Sequence, residues 1–527
     1  MASQNFDVCV VGAGAAGAIV SYLLTRKGWK VLLIEAGRRF DDAERYQKAR
    51  DLLNFGKKPW PGMLPERDKY ISTGEITYNL NTTRVFGVGG STLHWGGIAN
   101  RLHADDFAER SNYGVGADWP VPYDELEPFY VQAEWLIGVA GPNNSPFSSP
   151  RSADYPMREF PLGYTDQYWK EVCRRAGVTI HPTAYAKNSV PYDGRPACSA
   201  FGTCIPICPI KAQYSADHHV IKALETGNLS LLTETYVRRI ITDRQGKRGT
   251  GVLTTDLAGN DRIYKADAYI IAAHAVESAR LLLLSANHVY PNGLGNQGDQ
   301  VGRNFMEHWY IHGSAKIKDR RFYPNRIGFD PAESHQFYSR KDRSEAGAIK
   351  LEFSDRGPTP YGIAIITGLR GKALTRKIEA EFGRTIAISA ETEHLPYSES
   401  RIYLHKSEVN IFDDPIPAIH LHLGEYERET QRRASQIIAR ILDATGSDEI
   451  NLESWEKTPG WASHHLGTCR MGVDPTTSVV DPNLRIHGLK NIYVVGSAVF
   501  PTGGAAQPTL TIAALAIRLA DHLSNHR

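Results

Sequence analysis

FDVCVVGAGAAGAIVSYLLTRKGWKVLLIEAG, at residues 6–37, has the pattern of one β-α-β unit. Five of its first six residues are apolar and three of these are valines, which predicts a strand over 6–11 that is buried on both faces. The pattern then predicts a helix over 15–26 and a second strand over 30–34. A parallel strand–helix–strand unit of this kind is typical of the doubly wound α/β class.

The glycines of this unit have the spacing of a dinucleotide-binding turn. Gly12 allows the tight turn, Gly14 lets a pyrophosphate approach the backbone, and Gly17 lets the helix pack closely on the strand. The helix that follows directs its positive N-terminus towards the phosphates. Glu35 lies about 20 residues beyond the glycines, where a carboxylate accepts the ribose hydroxyls and repels a 2′-phosphate. We therefore expect a Rossmann-like lobe that does not bind NADP.

The composition is that of an ordinary globular enzyme. With 527 residues, 42% apolar and 22% charged, the chain is long enough for one multi-lobed domain or two closely joined domains. A net charge of +2 gives no indication of nucleic-acid binding. No apolar run reaches membrane-spanning length, and the N-terminus lacks the pattern of an export signal.

The C-terminal segment carries a second glycine turn. KNIYVVGSAVFPTGGAAQPTLTIAALAIRLADHL, at 490–523, predicts a strand over 491–495, a turn at Gly496 and Ser497, and a helix that begins at Pro508 and Thr509. A chain that begins and ends with such turns is expected to fold both ends onto one cofactor. This arrangement favours FAD over NAD.

Several motifs together resemble those of the glucose–methanol–choline oxidoreductases, from the first residues to the last. Besides the two termini they are RVFGVGGSTLHWGG (84–97), AAHAVESARLLLLSA (272–286), VGRNFMEH (301–308) and HHLGTCRMG (464–472). The segment NSVPYDGRPACSAFGTCIPICPIKA (188–212) is similar to one in the FAD-dependent glucose, fructose and gluconate dehydrogenase large subunits. There is some similarity to pyranose oxidases and glucoside 3-dehydrogenases as well.

The resemblance implies a discontinuous Rossmann-like FAD-binding lobe and an α+β substrate lobe with an antiparallel sheet. The FAD-binding segments would be 1–110, 195–310 (which includes the cysteine loop) and 460–527, with a connecting or lid region at 111–194 and the substrate domain at 311–459. In that domain we predict a helix over 426–444 and strands in the runs AIKLEFS (348–354), GIAIITGL (362–369), TIAISAETE (385–393), RIYLHK (401–406) and AIHLHLG (418–424).

The resemblance also assigns roles at the flavin. His464 would be the catalytic base, while its neighbour His465, which faces the other way on an extended backbone, would be structural. Gln507 stands where the family usually has Asn or His, and its amide lies one methylene further out, which leaves open how the substrate hydroxyl is held and which carbon is oxidised. Cofactor-binding roles fall to Gly89, Gly90, Ser91, His94, Gly496, Ser497, Pro508 and Thr509.

Two of these cofactor-binding segments differ from the usual family pattern, one at Gly496 and Ser497 and the other at His94. Gly496 and Ser497 replace the Asp common in the family, and backbone amides can still serve the cofactor there. His94 lies in a T-H-W stretch like that of pyranose oxidases, in which the histidine is bonded to the flavin. Covalent attachment at His94 and a hydrogen-bonding role beside a noncovalent FAD both remain open.

Three of the six cysteines lie close together, with the spacing C-x5-C-x3-C-P at Cys198, Cys204 and Cys208. A disulfide would leave one thiol over, and zinc would need a fourth ligand. Thiolates followed by proline suit an iron–sulfur cluster, and three ligands suit the three-iron, four-sulfur cluster of the similar sugar dehydrogenases. The other cysteines, Cys9, Cys173 and Cys469, are expected to be structural.

The predicted function is an FAD-dependent dehydrogenase that oxidises a hydroxyl of a sugar, glycoside or polyol, a ring carbon such as C3 of a glucoside being one option. Electrons would leave through the cluster to a haem or other acceptor subunit. Alternatives are an oxygen-using pyranose-type oxidase and a non-catalytic redox protein. A small companion subunit with an export signal would take the chain to the periplasmic face of the cytoplasmic membrane. The alternative location is the cytoplasm.

Overall fold

The computed structural model describes residues 5–60, 64, 66–323, 327–328, 330–354, 357, 359–456 and 459–526. In chain order the strands are β1 (Phe6–Val11), β2 (Val31–Ile34), β3 (Ile71–Thr73), β4 (Ala140–Gly141), β5 (Met157–Arg158), β6 (His181–Pro182), β7 (Leu229–Leu232), β8 (Thr235–Thr242), β9 (Gly249–Asp256), β10 (Asp261–Tyr264), β11 (Ala266–Ile271), β12 (Trp309–Lys316), β13 (Ala332–Phe337), β14 (Ile349–Ser354), β15 (Thr385–Thr392), β16 (Arg401–Val409), β17 (Pro415–His420), β18 (Ile450–Leu452), β19 (Gly460–Trp461) and β20 (Ile492–Val494).

The helices are α1 (Ala15–Arg26), α2 (Asp42–Phe55), α3 (Glu109–Tyr113), α4 (Tyr123–Ile137), α5 (Tyr164–Arg175), α6 (Asp217–Glu225), α7 (Ala275–Leu284), α8 (Pro360–Thr367), α9 (Gly371–Glu381), α10 (Glu425–Asp443) and α11 (Thr509–Asn525). Short 3-10 turns lie at Leu80–Thr82, Gly90–Leu93, Ala104–Phe107 and Ser497–Val499. Among the helices within the described ranges, none is both long enough and apolar enough to cross a bilayer.

A parallel sheet forms the centre of the nucleotide-binding lobe. Its strand order is β20-β11-β1-β2-β7, and every neighbouring pair is parallel. Helices α6 and α11 pack against α1, which follows β1 directly. The first β-α-β unit and the C-terminal strand and helix thus share one sheet and one layer of helices, as the two glycine turns predict.

A larger antiparallel sheet forms the second lobe. Its strand order is β18-β12-β15-β14-β13-β6, and β19 also pairs with β12. Helix α10 packs on β12 and β15, where its Ile438 meets a buried core that includes Ile311 and Ile388. The helix ends close to the predicted position, and Gly446 just beyond it has a positive φ of 72°. The predicted α/β fold with an antiparallel sheet is confirmed.

The predicted strands RIYLHK and AIHLHLG belong to a different sheet. They correspond to β16 and β17, which pair with each other and, through β17, with β3 near the N-terminus. Both strands also pack against α7 of the nucleotide-binding lobe. The strands of the segment 311–459 are therefore divided between two sheets.

The prediction of a strand in GIAIITGL (362–369) is wrong, because these residues form most of helix α8. Thr359 caps the helix by accepting a hydrogen bond from the Gly362 amide at 3.0 Å, and Pro360 occupies the first helical turn. Gly368 ends the helix with a φ of 63°. A short apolar run fits either a strand or a helix, and the caps on both sides favour the helix.

The glycine turn after β1 depends on a very close backbone contact. A Cβ atom at Gly17 would lie 1.9 Å from the carbonyl oxygen of Gly12, so only glycine allows α1 to approach the turn. Gly12 itself has a φ of 99°, in the left-handed region. At Gly14 a Cβ atom would meet no other atom within 4 Å, because this position faces open space.

We predict that Gly17→Ala lowers the free energy of unfolding of the flavin-free protein by about 3 kcal/mol, since the clash is with backbone and no rotamer relieves it. Gly14→Ala is the matched control, and it should cost at most about 1 kcal/mol, the scale of a helix N-cap change. Urea denaturation of both variants measures the difference. Equal stability of Gly17→Ala and Gly14→Ala would contradict this account.

Candidate active site

A cavity with a volume of about 610 Å³ lies where the two glycine turns meet. Its nucleotide-binding side is lined by Gly12, Gly14, Glu35, Gly496, Ser497 and Thr509. The rest of its wall includes the predicted site residues Gly90, Ser91, His94, His464, Gln507 and Pro508. Residues from the beginning, the middle and the end of the chain therefore meet around one space.

Gly17 and Gly89 lie behind this wall. Gly17 provides the close approach of α1 described above. Gly89 has a φ of 112°, and its amide donates to the Ala13 carbonyl at 2.9 Å. A Cβ atom on the next residue, Gly90, would lie 2.9 Å from the Gly14 Cα atom. The motif at 84–97 is thus packed directly onto the first glycine turn.

The Glu35 carboxylate supports the glycine turn as well as lining the cavity. Its two oxygens accept hydrogen bonds from the amides of Ala13 and Gly37, each at 2.9 Å. Burial raises the pKa of Glu35 to about 7, and the backbone hydrogen bonds oppose this shift. Sequence reasoning assigned Glu35 only to a ribose, and its contact with the turn appears first in the structure.

His464 is held by a buried carboxylate at one ring nitrogen. Its Nδ1 lies 2.8 Å from Glu391 Oε1, which also contacts His308 Nδ1 at 2.9 Å. The His464 amide donates to Glu307 Oε1 at 2.6 Å. The side chain of His464 is 18% exposed and lines the cavity, and no residue in the described ranges hydrogen-bonds its Nε2. Nε2 is therefore the ring nitrogen that is available to a substrate.

His465 has both of its ring nitrogens occupied. His274 accepts a hydrogen bond at Nδ1 from the Val276 amide, so its Nε2–H donates to His465 Nδ1 at 2.8 Å. His465 Nε2–H then donates to the Tyr78 hydroxyl at 2.7 Å. Tyr78 in turn donates to Glu307. This chain of hydrogen bonds gives His465 a structural place next to His464.

The Gln507 amide is engaged by charged groups. Its Nε2 donates to Glu352 Oε1 and Glu391 Oε2, each at 2.8 Å. Its Oε1 accepts a hydrogen bond from Lys350 Nζ and a longer one, at 3.4 Å, from Asn100. Gln507 lines the cavity, but in this structure both of its amide N–H groups are directed to carboxylates.

Lys350 is fully buried between two carboxylates, 2.9 Å from Glu352 and 2.7 Å from Glu391. Burial opposes its charge, but the two carboxylates outweigh burial and raise the pKa of Lys350 above its usual value. Burial likewise opposes ionisation of Glu391, and Lys350 and His464 nonetheless hold its pKa well below the usual range. Removing one partner of such a buried group typically costs about 3–5 kcal/mol.

Sequence reasoning did not identify Lys350, Glu352 and Glu391 as site residues. Lys350 and Glu391 are direct partners in the register of β14 and β15, and Glu352 lies two residues further along the same face. The available signal was the presence of charged residues inside AIKLEFS and TIAISAETE, whose apolar neighbours predict burial. Charged groups inside buried strands are expected to pair.

The His94 ring lines the cavity, and burial lowers its pKa to about 4. The imidazole is therefore neutral near pH 7. No hydrogen bond from the described part of the chain reaches either ring nitrogen. His94 is thus placed to meet a ligand in the cavity through a neutral nitrogen.

The three clustered cysteines are free thiols in one loop beside the cavity. The sulfur atoms of Cys198 and Cys204 lie 4.0 and 3.9 Å from the same carbonyl oxygen, that of Ile327. Lys187 donates to Cys204 Sγ at 3.2 Å. Within the described ranges the three sulfurs do not converge closely enough to share a single metal ion. This arrangement disfavours a mononuclear zinc site at the three thiols.

The cysteine loop touches both the cavity and the surface. Ile205, next to Cys204, lines the cavity and is also 40% exposed. Gln213 Nε2 donates to the Trp95 carbonyl at 2.7 Å and to the Cys204 carbonyl at 3.3 Å. Trp95 is itself a lining residue. Hydrogen bonds of the Gln213 side chain therefore connect the cavity wall, at Trp95, with the thiol loop, at Cys204.

Comparison with known proteins identifies the family. The N-terminal family model of the GMC oxidoreductases matches residues 8–310, and the C-terminal model matches residues 396–516. The chain belongs to the GMC oxidoreductase family. The prediction of this family from the sequence is confirmed. GMC oxidoreductases bind FAD and oxidise CH–OH groups, so the chain is an enzyme of that class.

Individual relatives agree with the family assignment. The fructose dehydrogenase large subunit of Gluconobacter japonicus is 33% identical, over 98% of this chain and 98% of its own length. The gluconate 2-dehydrogenase flavoprotein of Pantoea cypripedii is 25% identical, over 97% of this chain and 92% of its own length. The crystal structure of pyridoxine 4-oxidase from Mesorbium loti has a TM-score of 0.67 at 18% identity, covering 99% of this chain and 100% of that one.

We predict that Glu391→Gln in this GMC oxidoreductase slows flavin reduction by an alcohol substrate roughly 10- to 100-fold, because a neutral amide no longer stabilises and orients the His464 ring. Anaerobic stopped-flow spectroscopy across a range of pH measures this rate. Glu352→Gln is the matched control, because it removes a carboxylate from Lys350 without touching His464. Equal rates and equal pH profiles in the two variants would contradict the assigned role of Glu391.

Proposed function

We propose that this GMC oxidoreductase is a dehydrogenase that oxidises a hydroxyl group of a sugar, glycoside or polyol and passes the electrons through an iron–sulfur cluster to a partner protein. The observation that carries the proposal is the position of one cavity. It is bordered by the glycine turns, by His464 and by the loop that holds the three free cysteines. A hydride acceptor, a base and an electron exit would then adjoin one substrate.

The residues around the cavity fit FAD. The space in front of Gly14 is open, and the packing of Gly90 on Gly14 leaves a narrow cradle of backbone at the N-terminus of α1. The pyrophosphate would be held there, with Glu35 near the adenosine ribose and the turn at Gly496 and Ser497 on the other side. FAD bound in this cavity supplies the hydride acceptor for alcohol oxidation.

The proposed base is His464. Its Nε2 takes the hydroxyl proton, which develops negative charge on the substrate oxygen and makes the neighbouring C–H a better hydride donor. Glu391 holds Nδ1–H of the same ring and stabilises the imidazolium that forms. Lys350 keeps Glu391 ionised despite its burial, so the carboxylate is anionic throughout. Each residue in this series contacts the next.

We predict that His464→Ala lowers the rate of flavin reduction by the substrate about 100-fold or more, the usual loss for a general base, while FAD stays bound. Anaerobic stopped-flow spectroscopy of the purified variant tests this expectation. His405→Ala, in strand β16 and outside the lining of the cavity, is the control. An unchanged reduction rate in His464→Ala would remove His464 from this role.

The residues of the thiol loop fit an iron–sulfur cluster better than they fit a disulfide or a single zinc ion. The three thiols are free, and Lys187 Nζ lies 3.2 Å from Cys204 Sγ. A multi-iron cluster binds each thiolate at a separate iron, so its ligands lie further apart than those of a single ion. Cys198, Cys204 and Cys208 would hold a three-iron, four-sulfur cluster, which would supply one-electron transfer.

We expect Cys204→Ser to lower the iron content of the purified enzyme and to slow turnover with a one-electron acceptor, while anaerobic flavin reduction by the sugar is kept. Iron analysis and steady-state dye reduction measure the two effects. The control is Cys173→Ala, whose thiol is buried in α5. Full activity of Cys204→Ser with the same acceptor would count against the cluster as the exit.

An oxygen-using oxidase is the second candidate, because an oxidase of this fold needs no cluster. Hydrogen peroxide formed in step with sugar oxidation would establish it, and turnover that depends on an added acceptor would exclude it.

Acid precipitation tests whether the flavin is covalently attached, since yellow colour in the pellet means covalent attachment at His94. Colour in the supernatant means a noncovalent FAD.

The substrate class rests on the two relatives named for fructose and gluconate. The engagement of Gln507 by carboxylates differs from a free amide that could bind a hydroxyl directly. Methyl glucoside has a blocked anomeric carbon, so it separates two reactions. Oxidation of methyl glucoside would show attack at a ring hydroxyl such as that on C3, and oxidation of free glucose alone would show attack at C1.

We also propose a small companion subunit with an export signal, a haem or other acceptor subunit, and a place at the periplasmic face of the membrane. The relatives are named as a large subunit and a flavoprotein. Phe201 and Ile205 of the cysteine loop are exposed apolar side chains, and so are Leu53 and Phe55 at the end of α2. Trp60, just after α2, donates to the Pro206 carbonyl at 2.7 Å, which ties this surface to the loop.

We expect the chain to lose its cluster or to accumulate poorly when it is expressed without its companion, because these apolar side chains would then stay exposed. Iron analysis and cell fractionation of single-chain and co-expressed protein test the expectation. A cluster-loaded monomer that is stable and found only in the cytoplasm would contradict both the partner and the location.

A further inference from the structure

A second group of buried polar side chains lies outside the flavin cavity. His181, Glu333 and His335 each offer a ligand atom, and these atoms lie within 4.8 Å of one another. All three residues are at least nine-tenths buried and line a separate small cavity of about 40 Å³. That volume is sufficient for one ion and a water molecule.

The pairing of two strands creates this group. Glu333 in β13 is the direct partner of His181 in β6. His335 is two residues beyond Glu333, and alternate residues of a strand project from the same face. Glu333 Oε1 lies 3.6 Å from His335 Nε2 and 3.9 Å from His181 Nδ1. Two imidazoles and one carboxylate therefore face one point from adjacent strands.

The hydrogen bonds around the group leave one ring nitrogen of His181 unused, while Asn100 Nδ2 lies 3.5 Å from His335 Nε2. His181 Nδ1–H donates to the Pro182 carbonyl at 3.0 Å, which leaves Nε2 with its lone pair and, in the described chain, without a partner. His335 Nδ1 is 2.9 Å from His103 Nε2. Glu333 Oε2 accepts from Asn100 at 2.9 Å, so Oε1 is the oxygen that faces the histidines. Metal-binding histidines characteristically donate their second ring N–H in this way.

We propose that His181, Glu333 and His335 bind a divalent first-row transition-metal ion, with zinc as the expected occupant. Neutral imidazole and carboxylate suit such ions. The two arginines that line the same small cavity, Arg101 and Arg151, are both paired with the buried Glu134. Arg101 also pairs with Glu127 at 2.9 Å, so two carboxylates compensate the two charges. The ion in turn neutralises the buried Glu333 carboxylate.

The proposed metal site connects with the flavin cavity through one side chain. Asn100 Nδ2 lies 2.9 Å from Glu333 Oε2 and 3.4 Å from Gln507 Oε1. Glu333, when it binds the ion, fixes the position of the Asn100 amide and, through it, that of Gln507. The proposed metal site therefore helps to position Gln507, which lines the flavin cavity. It also joins β6 and β13 at the edge of the large sheet.

Zinc binding by the full-length holoenzyme tests the proposal. After treatment with a chelator and dialysis, we expect the protein to take up about one equivalent of added Zn²⁺. X-ray absorption at the zinc edge should show only nitrogen and oxygen ligands at about 2.0–2.1 Å, with no sulfur at about 2.3 Å. Sulfur ligands would place the zinc in the cysteine loop and would overturn the proposal, as would failure to bind zinc.

Variants locate the bound ion. His181→Ala and Glu333→Gln should each weaken Zn²⁺ binding about tenfold or more in isothermal titration calorimetry, whereas Cys204→Ser and His522→Ala should bind as the wild type does. Asn100→Ala, which removes the amide that donates to Glu333 and leaves the three proposed ligands in place, should weaken binding roughly 10- to 100-fold. Circular dichroism checks that each variant folds. Folded His181→Ala and Glu333→Gln proteins with wild-type affinity would contradict the site.

Discussion

The Glu391 carboxylate is the group on which the active site depends most. It contacts His464, His308, Lys350 and Gln507, all of them in or near the wall of the flavin cavity. A buried anion with this many donors is stable only while the donors stay in place, because an unpaired charge in a protein interior costs several kcal/mol. Glu391 therefore couples the large antiparallel sheet to the C-terminal segment that carries His464 and Gln507. The contacts of Glu391 thus connect the two lobes and also orient the ring of His464, the proposed base.

The parts of this site that the sequence predicts are those formed by contiguous residues. Gly12, Gly14, Gly17 and Glu35 lie within one β-α-β unit, so spacing alone indicates their geometry. Lys350 and Glu391 come together only through strand pairing across 40 residues, and no local pattern encodes that register. The run at 362–369 was misassigned because its apolar residues fit both periodicities, and its helix is determined by Thr359 and Gly368. His181 and Glu333 likewise meet only in the folded sheet.

The arrangement separates the tasks of an alcohol dehydrogenase among different structural supports. Backbone of the two glycine turns surrounds the proposed flavin site, and rigid strands carry the charges behind His464. The cysteine loop lies between the cavity and the surface, with Ile205 belonging to both. In the proposed function, this division lets one chain hold the cofactor between its glycine turns and present an exit for electrons at its surface.

The most direct measurement is electron paramagnetic resonance of the complete enzyme after anaerobic mixing with its sugar, together with the flavin absorbance. The account predicts that the flavin band bleaches and that the signal of the oxidised three-iron cluster disappears, and that both return when a one-electron acceptor is added. Bleaching of the flavin with an unchanged cluster signal, or with no cluster signal at all, would contradict the proposed route of electrons.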